Sequence, residues 1–542
     1  MDIDAALLYG AGLTACIVFF TFRRIALVIA ERGRTHFRRY LLYPLVIVRR
    51  RHTSSVTRLD LLFLMSFLGA NGILLGWPSK DDISKRAALA SLINLVPLSF
   101  GGKTNPLMSF VGLPLSKYYF AHHWLGRVAF VEAFIHLFVS LRRLQSFSIN
   151  GISASGYTTA FGLLCITLWS LCFIRRFRYD LFTKMHTFLS MLVLGALLWH
   201  IFLVDQVFSK VVIVSACGLW LVTTLFRFLR ALHRGVATTD IWKDGQIVRA
   251  QIRVRRPIKI YPGSYFYLYF PAAPFRLKIK GHPMNLAWWD VADFQGSGYS
   301  SDLVFLMYRQ GTLSALTRRE GSFQRVILDG PYGQDLRLHD YENVMLVAKG
   351  PGIAGVLPHA LHLAGRRMHD MKYDIDEQRE RSARFRDKTR KVDLFWVLED
   401  NSQQKWLREE FRSLQKLDPR NVLLCIWCIF PSPKRRDPPF KANRYWRCFY
   451  PRPDSDFYQN GVIKELSASE DSPGRSIVVC CGEPSFTGQV RGEVVRKALM
   501  EFVEVEYRPS FSTEDFKVAD TLPKRIKKRW GRHNVGEGIE MA

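Results

Sequence analysis

The chain has 542 residues, of which 48% are hydrophobic and 13% aromatic, and its 76 Lys and Arg against 47 Asp and Glu give a formal net charge of +29. This apolar content excludes a largely disordered chain. Nine cysteines without even spacing exclude a disulfide-stapled secreted scaffold. The charge would suit a nucleic-acid partner, but no nucleic-acid-binding motif accompanies it, and much of it lies in arginine clusters beside apolar stretches. No nucleic-acid partner is therefore predicted.

Seven apolar stretches in the first 232 residues predict a multi-pass helical membrane bundle, because about 20 apolar residues cross the ~30 Å core of a lipid bilayer. The first stretch is not interpreted as a signal peptide, since it lacks a cleavage site of small residues. Loops rich in arginine are expected on the cytosolic side, and they lie at 30–57, at 175–183 and after 227. Loop 141–156 carries two arginines on the opposite side and does not follow this rule. The C-terminal half is then cytosolic. The approximate span cores are 5–29, 57–77, 86–100, 117–140, 157–174, 184–205 and 211–231.

Two histidine pairs with identical spacing give the strongest chemical signal. His122 and His136 lie fourteen residues apart in the fourth stretch, and His186 and His200 lie fourteen apart in the sixth. At ~100° per residue, fourteen residues leave each pair on one helix face, roughly 21 Å apart along the axis. Both spans run from the cytosolic to the outer side, so His122 can face His186 and His136 can face His200. This arrangement predicts two stacked haem sites with histidine at both axial positions.

The alternative is a set of scattered helix histidines without a ligand. Ionisable groups at membrane depth are costly and usually functional, which favours the haem interpretation. His123 lies about 140° from His136 on the helix and is expected to be an interfacial polar residue. Arg127 has two candidate partners, a haem propionate or the nearby Glu132.

The run His122-His123-Trp124-Leu125-Gly126-Arg127, the upstream Asn105-Pro106-Leu107 and the equal histidine pairs resemble the fungal ferric (metallo)reductase family. That family shares its membrane domain with the NADPH oxidases, in which one histidine pair is usually a residue closer, so equal spacing favours the metalloreductase branch. The resemblance implies a haem-binding membrane bundle followed by a ferredoxin-reductase-like unit, a β-barrel FAD domain plus an α/β nucleotide-binding domain. The implied domains are an N-terminal span and basic loop at 1–56, the haem domain at 57–232, the FAD domain at 240–335, the NAD(P) domain at 336–510 and a basic tail at 511–542.

Short alternating runs after residue 245, Ile252–Val254 and Tyr265–Phe270, predict β-strands. His282-Pro283-Met284-Asn285 then resembles the family's flavin motif, His-Pro-Phe followed by Thr or Ser. Met replaces Phe, and Asn replaces the hydroxyl residue but can still donate a hydrogen bond through its amide. Gly311-Thr312 resembles the segment that approaches the flavin phosphates, and Phe511 is a candidate for the aromatic residue that covers the flavin.

The nucleotide domain is indicated by glycine-rich turns. Gly330-Pro331-Tyr332-Gly333 resembles a family turn, and the strand Val344–Ala348 runs into Gly350-Pro351-Gly352-Ile353-Ala354-Gly355. Glycines at a strand-to-helix turn allow backbone N–H groups to approach a pyrophosphate. This motif alone is a weak signal, and the strand before it and the helix predicted after it strengthen it.

Two more strands are predicted at Asp393–Leu398 and Ser476–Cys480. Cys481-Gly482, followed by Glu483 and Pro484, resembles the family's segment beside the nicotinamide. Glu399 stands where relatives commonly place an arginine for the 2′-phosphate of NADPH, and an acidic residue there suits a free ribose hydroxyl instead. The family implies NADPH, and NADH remains the alternative.

The predicted function is electron transfer from cytosolic NAD(P)H through FAD and two b-type haems (haem b) to an extracellular ferric or cupric chelate, serving iron acquisition, with no catalytic residue beyond those that hold cofactors. The plasma membrane is the expected location, and no oligomeric state is predicted. One alternative is a superoxide-generating NADPH oxidase. Another is a catalytically degenerate membrane scaffold, which the departures at Met284-Asn285, Lys349, Glu399 and Glu483 keep open.

Overall fold

The computed structural model describes an N-terminal membrane bundle, a β-barrel and a parallel α/β domain. The described residues are 9–14, 37–47, 56–76, 83–100, 115–143, 150–171, 179–204, 206–244, 247–271, 281–289, 298–308, 324–375, 385–432, 438–450, 474–497 and 500–505.

Five described helices are long and apolar enough to cross a membrane. They coincide with the second, fourth, fifth, sixth and seventh predicted spans. Many of their large apolar side chains are exposed, such as Val131 and Phe138, as expected of side chains that face lipid. The five helices are α1 (Arg58–Gly76), α3 (Leu115–Arg143), α4 (Gly151–Trp169), α5 (Tyr179–Leu203) and α6 (Val207–Arg234).

The other two predicted spans have different outcomes. The third forms helix α2 (Ile83–Leu95), which has 13 residues and is followed by a 3₁₀ turn at Pro97–Phe100. This helix is shorter than the roughly 20 residues of a span, and most of it is buried against its neighbours, so the prediction of a third lipid-crossing helix is wrong. Of the first predicted span only 9–14 lies within the described residues, where it is helical.

A buried polar network joins the helices around α2. Asn94 donates to Asn71 Oδ1 at 2.9 Å and to Glu132 Oε2 at 2.8 Å, and it accepts from the Tyr9 hydroxyl at 2.7 Å. Glu132 therefore has an amide partner, and the alternative of a pair with Arg127 is wrong. The Arg127 guanidinium instead lies over the Trp124 ring, 4.9 Å from its centre. Inside a bilayer such a network satisfies polar groups that have no water to bind.

The barrel begins directly after the last membrane helix. It is closed and antiparallel, with the strand order β3-β4-β7-β6-β5-β8. Large apolar side chains, such as Phe266 and Phe305, fill its interior. Its strands are β3 (Ala237–Asp244), β4 (Ile247–Lys259), β5 (Tyr265–Tyr269), β6 (His282–Trp289), β7 (Tyr299–Tyr308) and β8 (Gln324–Tyr332). Two shorter strands, β1 (Leu45–Ile47) and β2 (Val56–Thr57), pair with each other ahead of α1.

The last domain has a six-stranded parallel sheet in the order β12-β11-β10-β9-β13-β14, as the continuous apolar runs predict for strands buried on both faces. The predicted strands at Val344–Ala348, Asp393–Leu398 and Ser476–Cys480 are confirmed, and with them the predicted fold class. The elements are β9 (Asn343–Lys349), α7 (Ile353–Ile375), β10 (Lys391–Val397), α8 (Arg408–Leu417), β11 (Leu424–Ile429), β12 (Trp446–Phe449), β13 (Ser476–Cys481), α9 (Pro484–Lys497) and β14 (Met500–Glu504).

The three parts are joined by packing as well as by the chain. One continuous apolar core runs from the barrel interior into one face of the parallel sheet. The segment 37–47, from the first basic loop, contacts the other face: the Phe502 backbone N–H donates to the Tyr43 hydroxyl at 2.9 Å, and Arg38 pairs with Glu501 at 2.7 Å. The basic loop therefore lies on the same side as the C-terminal half, as the charge distribution predicts.

We predict that Asn94→Ala destabilises the bundle by about 1–3 kcal/mol, because Asn71 and Glu132 lose a buried donor. Thr158→Ala, which removes an exposed hydroxyl bonded within its own helix, is the control and is expected to stay within about 0.5 kcal/mol. Thermal unfolding of the detergent-purified protein measures both. Equal midpoints for the two variants would contradict a stabilising role of the network.

Candidate functional site

The four predicted histidines lie in two facing sets. His122 and His186 approach from α3 and α5, with ring centres 6.1 Å apart. His136 and His200 lie farther along the same two helices. All four are partly buried, whereas His123 is exposed on a different face of α3. The structure thus brings the inner pair together, as the spacing predicts.

Serines from neighbouring helices orient three of these imidazoles. His136 Nδ1 contacts Ser84 Oγ at 2.9 Å and the Ser84 carbonyl at 3.0 Å. His200 Nδ1 contacts Ser155 Oγ and the Ile152 carbonyl, both at 3.1 Å. A carbonyl oxygen can only accept, so Nδ1 carries the proton in both rings and Nε2 keeps its lone pair.

The same tautomer follows for His186 from an indirect argument. The Ser170 hydroxyl donates to the Ile166 carbonyl at 2.7 Å, so it accepts from His186 Nδ1 at 3.1 Å. His122 Nδ1 is buried and has no hydrogen-bond partner among the residues that the structure describes. Three of the four imidazoles are therefore held in the form that ligates a metal through Nε2.

Each histidine helix packs mainly on a helix other than its histidine partner. Helix α3 packs along α2, and α5 packs along α4, so each histidine helix is supported by a helix that supplies a serine. Among the described helices, the extensive pairings do not include α3 with α5. The inner histidine rings are nevertheless close, so α3 and α5 approach each other there through their side chains.

The serines are the residues that sequence reasoning missed. A serine within an apolar stretch is a weak indication of a partner on another helix. Its hydroxyl can equally donate to a carbonyl of its own helix, as Ser190 does to the carbonyl of His186. Its role becomes visible only when the neighbouring helix is known.

The proposed flavin motif lies on β6, beside β5, where His282 pairs with Leu268 and Asn285 with Tyr265. Met284 is fully buried in the barrel core, so the replacement of Phe by Met is an exchange within the core. Strand β6 also packs against α7 of the nucleotide domain. The motif therefore lies where the barrel and the nucleotide domain meet, while Gly311, Thr312, Phe511 and Asn105-Pro106-Leu107 fall outside the described residues.

The two predicted nucleotide turns lie side by side. The Gly350–Gly352 turn follows β9, Cys481-Gly482 follows β13, and these two strands are parallel neighbours. They meet at the carboxyl edge of the sheet, at the point where the strand order reverses, which is where open α/β sheets bind ligands. A Cβ at Gly352 would overlap the Cys481 carbonyl oxygen, so the turns touch, and α7 begins directly after the first turn at Ile353.

Two residues that depart from the family pattern contact each other. The Lys349 ammonium, at the end of β9, pairs with the Glu483 carboxylate, after β13. This ion pair bridges the two turns. A third departure, Glu399, places its carboxylate over the first turn, where a Cβ at Gly350 would lie 2.5 Å from Oε2.

The turn Gly330-Pro331-Tyr332-Gly333 lies at the end of β8 rather than beside the other two turns. Its tyrosine is fully buried, and its hydroxyl accepts from Arg230 of α6 at 2.6 Å. A role of these four residues in cofactor binding stays a prediction.

Comparison with known families bears on the identity of the chain. A family model described as ferric reductase like transmembrane component matches residues 86–197, and one described as ferric reductase NAD binding domain matches residues 341–495. The resemblance to fungal ferric reductases is confirmed.

Individual relatives of this ferric-reductase-like chain are distant. Ferric reductase transmembrane component 3 of Saccharomyces cerevisiae is 24% identical over 49% of this chain and 37% of its own length. Ferric/cupric reductase transmembrane component 2 of the same yeast is 22% identical over 66% of this chain and 54% of its own. The chain thus spans about half or less of the length of these relatives. Among solved structures, a ferredoxin-NADP+ reductase from Plasmodium falciparum with 2'P-AMP is 10% identical, with 50% of this chain and 97% of that chain covered and a TM-score of 0.33.

We predict that Gly352→Ala destabilises the nucleotide domain by about 1–3 kcal/mol, because the added methyl group meets the Cys481 carbonyl. Gly488→Ala is the matched control, since it lies in α9 with open space around its Cα, and we expect a gain of about 0.5–1 kcal/mol. Thermal unfolding of the full-length protein compares the two. A Gly352 variant as stable as the control would show that the two turns do not touch.

Proposed function

We propose that this chain is a transmembrane oxidoreductase that moves electrons from a nicotinamide nucleotide, bound by the C-terminal half, to haems held between α3 and α5. The terminal acceptor is then a ferric or cupric chelate on the opposite side of the membrane. The names of the yeast relatives, ferric and ferric/cupric reductase components, support this acceptor class. The proposed location is the plasma membrane, with the C-terminal half in the cytosol.

The separation of the inner histidine rings carries the proposal. Metal–imidazole bonds are about 2 Å long, so a metal held by two opposed imidazoles places the ring centres about 6 Å apart. The rings of His122 and His186 are 6.1 Å apart. This separation therefore fits two histidines that hold one haem iron between them.

The outer pair is supported by its orientation. His136 and His200 both hold a proton on Nδ1 through backbone carbonyls, which leaves Nε2 as the ligand atom. With the same fourteen-residue spacing on both helices, the outer pair repeats the inner one farther across the membrane. Three serines thus fix the ring planes before any ligand binds.

The C-terminal half fits FAD and a nicotinamide nucleotide. Strand β6 holds the flavin motif and packs on α7, the helix that follows the Gly350–Gly352 turn. Bound FAD would convert a two-electron hydride donor into single electrons, and bound haem b would carry them one at a time. The chain's own residues orient these groups and exclude water from the joint.

The nucleotide preference follows from Glu399. Its carboxylate lies against Gly350 and accepts from the Gln403 side chain at 3.4 Å. An acidic group at the end of the second strand can accept from a ribose hydroxyl and repels a 2′-phosphate. This observation favours NADH over the NADPH that the family implies.

We predict that His136→Ala loses the outer haem and the reduction of external ferric chelate, because one axial ligand is removed. His123→Ala is the control, since that ring is exposed, and is expected to keep both. Haem content and reduced-minus-oxidised absorbance of purified membranes, with NADH or NADPH as donor, measure the effect.

Full haem content and full activity in His136→Ala would contradict the ligand assignment. Haem bands that neither nucleotide reduces in the wild type would remove the oxidoreductase proposal. Oxygen-dependent superoxide without metal reduction would identify an oxidase instead.

We further predict that Glu399→Gln raises kcat/KM for NADPH relative to NADH about tenfold, which corresponds to ~1.4 kcal/mol, because a like charge near the 2′-phosphate is removed. Glu409→Gln, a neutralisation at an exposed position of α8, is the control. Initial rates of flavin reduction with each nucleotide test this preference. A wild-type protein that already prefers NADPH would show that Glu399 does not face the ribose.

A further inference from the structure

The cytosolic end of the last membrane helix makes a contact that no sequence pattern predicts. Helix α6 ends with Arg227, Arg230 and Arg234, which the charge distribution explains only as cytosolic residues. In the structure all three reach β8 of the barrel, 96 to 102 residues farther along the chain.

A single carboxylate is the centre of this contact. Arg227 donates to Asp329 Oδ2 from Nε at 3.2 Å and from Nη2 at 3.0 Å, and Arg230 donates to Oδ1 at 2.5 Å. The Tyr332 hydroxyl also donates to Oδ1, at 2.7 Å. The Asp329 side chain is only 6% exposed, so both of its oxygens are enclosed by donors and little screened by salt.

The surrounding residues reinforce this geometry. Arg234 donates to the Gly330 carbonyl, and the Arg230 guanidinium lies over the Tyr332 ring, 4.8 Å from its centre. Burial, and secondarily the neighbouring Asp329, raises the pKa of the Tyr332 hydroxyl, which therefore remains a donor. We name these residues of α6 and β8 the arginine clasp: Arg227, Arg230, Arg234, Asp329, Gly330 and Tyr332.

The arginine clasp lies close to the flavin motif within the barrel. Strand β8 is the neighbour of β5, and β5 is the neighbour of β6. Tyr265 of β5 pairs with Asn285 of the flavin motif on one side and with Tyr332 on the other. The strand that docks on the membrane helix is thus two strands from the proposed flavin position.

The arginine clasp also lies at the same end of the bundle as the inner histidines. Helices α5 and α6 are joined by a short connection, residues 204–206, and therefore run antiparallel. His186 lies in the second turn of α5 and contacts His122, while the arginines occupy the last turns of α6. The contact therefore holds the flavin side of the barrel next to the inner haem position.

The covalent connection alone does not fix this arrangement. Only Gly235 and Val236 separate α6 from β3, and Gly235 has a φ of +68°, a conformation that glycine adopts readily. A two-residue link with a glycine permits rotation of the barrel about the end of the helix. The side chains of the clasp are what define its angle.

We propose that Asp329, held by Arg227 and Arg230, is a positioning residue that sets the distance between the flavin and the inner haem, and so controls electron transfer between them. The inference rests on the proposed function. In each transfer one electron leaves the reduced flavin and one ferric haem iron becomes ferrous, and no bond is made or broken at Asp329.

The test compares two steps in the full-length protein in lipid nanodiscs. Asp329→Asn removes the charge, and Asp329→Glu keeps it. The control is Asp302→Asn, which neutralises a carboxylate of β7 that pairs with the exposed Arg253. Anaerobic mixing with NADH measures flavin reduction and haem reduction separately. Electron transfer between two cofactors becomes slower as the distance between them increases. We therefore expect Asp329→Asn to slow haem reduction about tenfold with flavin reduction within about twofold of wild type, Asp329→Glu to recover part of the loss, and Asp302→Asn to change neither.

A second readout does not depend on activity. Hydrogen–deuterium exchange of residues 324–332 should be faster in Asp329→Asn than in the wild type, and unchanged in Asp302→Asn. Should Asp329→Asn lose its flavin or haem absorbance, Arg227→Gln replaces it, because Arg227 is partly exposed and contributes two of the donated hydrogen bonds.

The outcomes separate the two proposals. Faster exchange with unchanged haem reduction would overturn the positioning role and leave only a structural contact. Unchanged exchange in both Asp329→Asn and Arg227→Gln would show that the clasp does not hold the barrel. If no nucleotide reduces the flavin of the wild type, the proposed function is contradicted. The hydrogen–deuterium exchange measurement then still decides whether the arginine clasp holds the barrel.

Discussion

The orientation of imidazole rings inside an apolar bundle is the constraint on which the rest of this structure depends. A histidine at membrane depth needs a partner for each ring nitrogen, and here serine hydroxyls and carbonyls of α2 and α4 take Nδ1 of three of the four rings. Nε2 of these three rings therefore keeps its lone pair. The pairing of α2 with α3 and of α4 with α5 follows from the same requirement, because each serine must reach a ring on its neighbour.

The C-terminal half is organised around contacts between turns. The β9 and β13 turns touch at Gly352 and Cys481, and the Lys349–Glu483 ion pair closes the same gap. Two residues that depart from the family pattern therefore compensate each other.

The periodicity of the sequence was sufficient to predict most helices and strands. It was not sufficient to predict which of them contact each other. The spacing of His122, His136, His186 and His200 specifies one face on each helix, and uniform apolar runs specify buried parallel strands. The sequence could not predict that residues 83–95 form an enclosed helix, because composition does not distinguish lipid from protein as the apolar neighbour. Nor could it connect Arg227 with Asp329, since contacts 102 residues apart leave no local pattern.

The contact of residues 37–47 with the parallel sheet affects any attempt to excise the C-terminal half. Tyr43 and Arg38 cover Phe502 and Glu501 on β14, which is the outermost strand on its side of the sheet. A fragment that starts after the last membrane helix would lack these residues, and β14 and the apolar surface beneath it would be exposed to solvent. Uncovered edges of this kind recruit other chains and lead to aggregation. Soluble preparations would therefore need the first loop supplied, for example by fusing it ahead of the barrel.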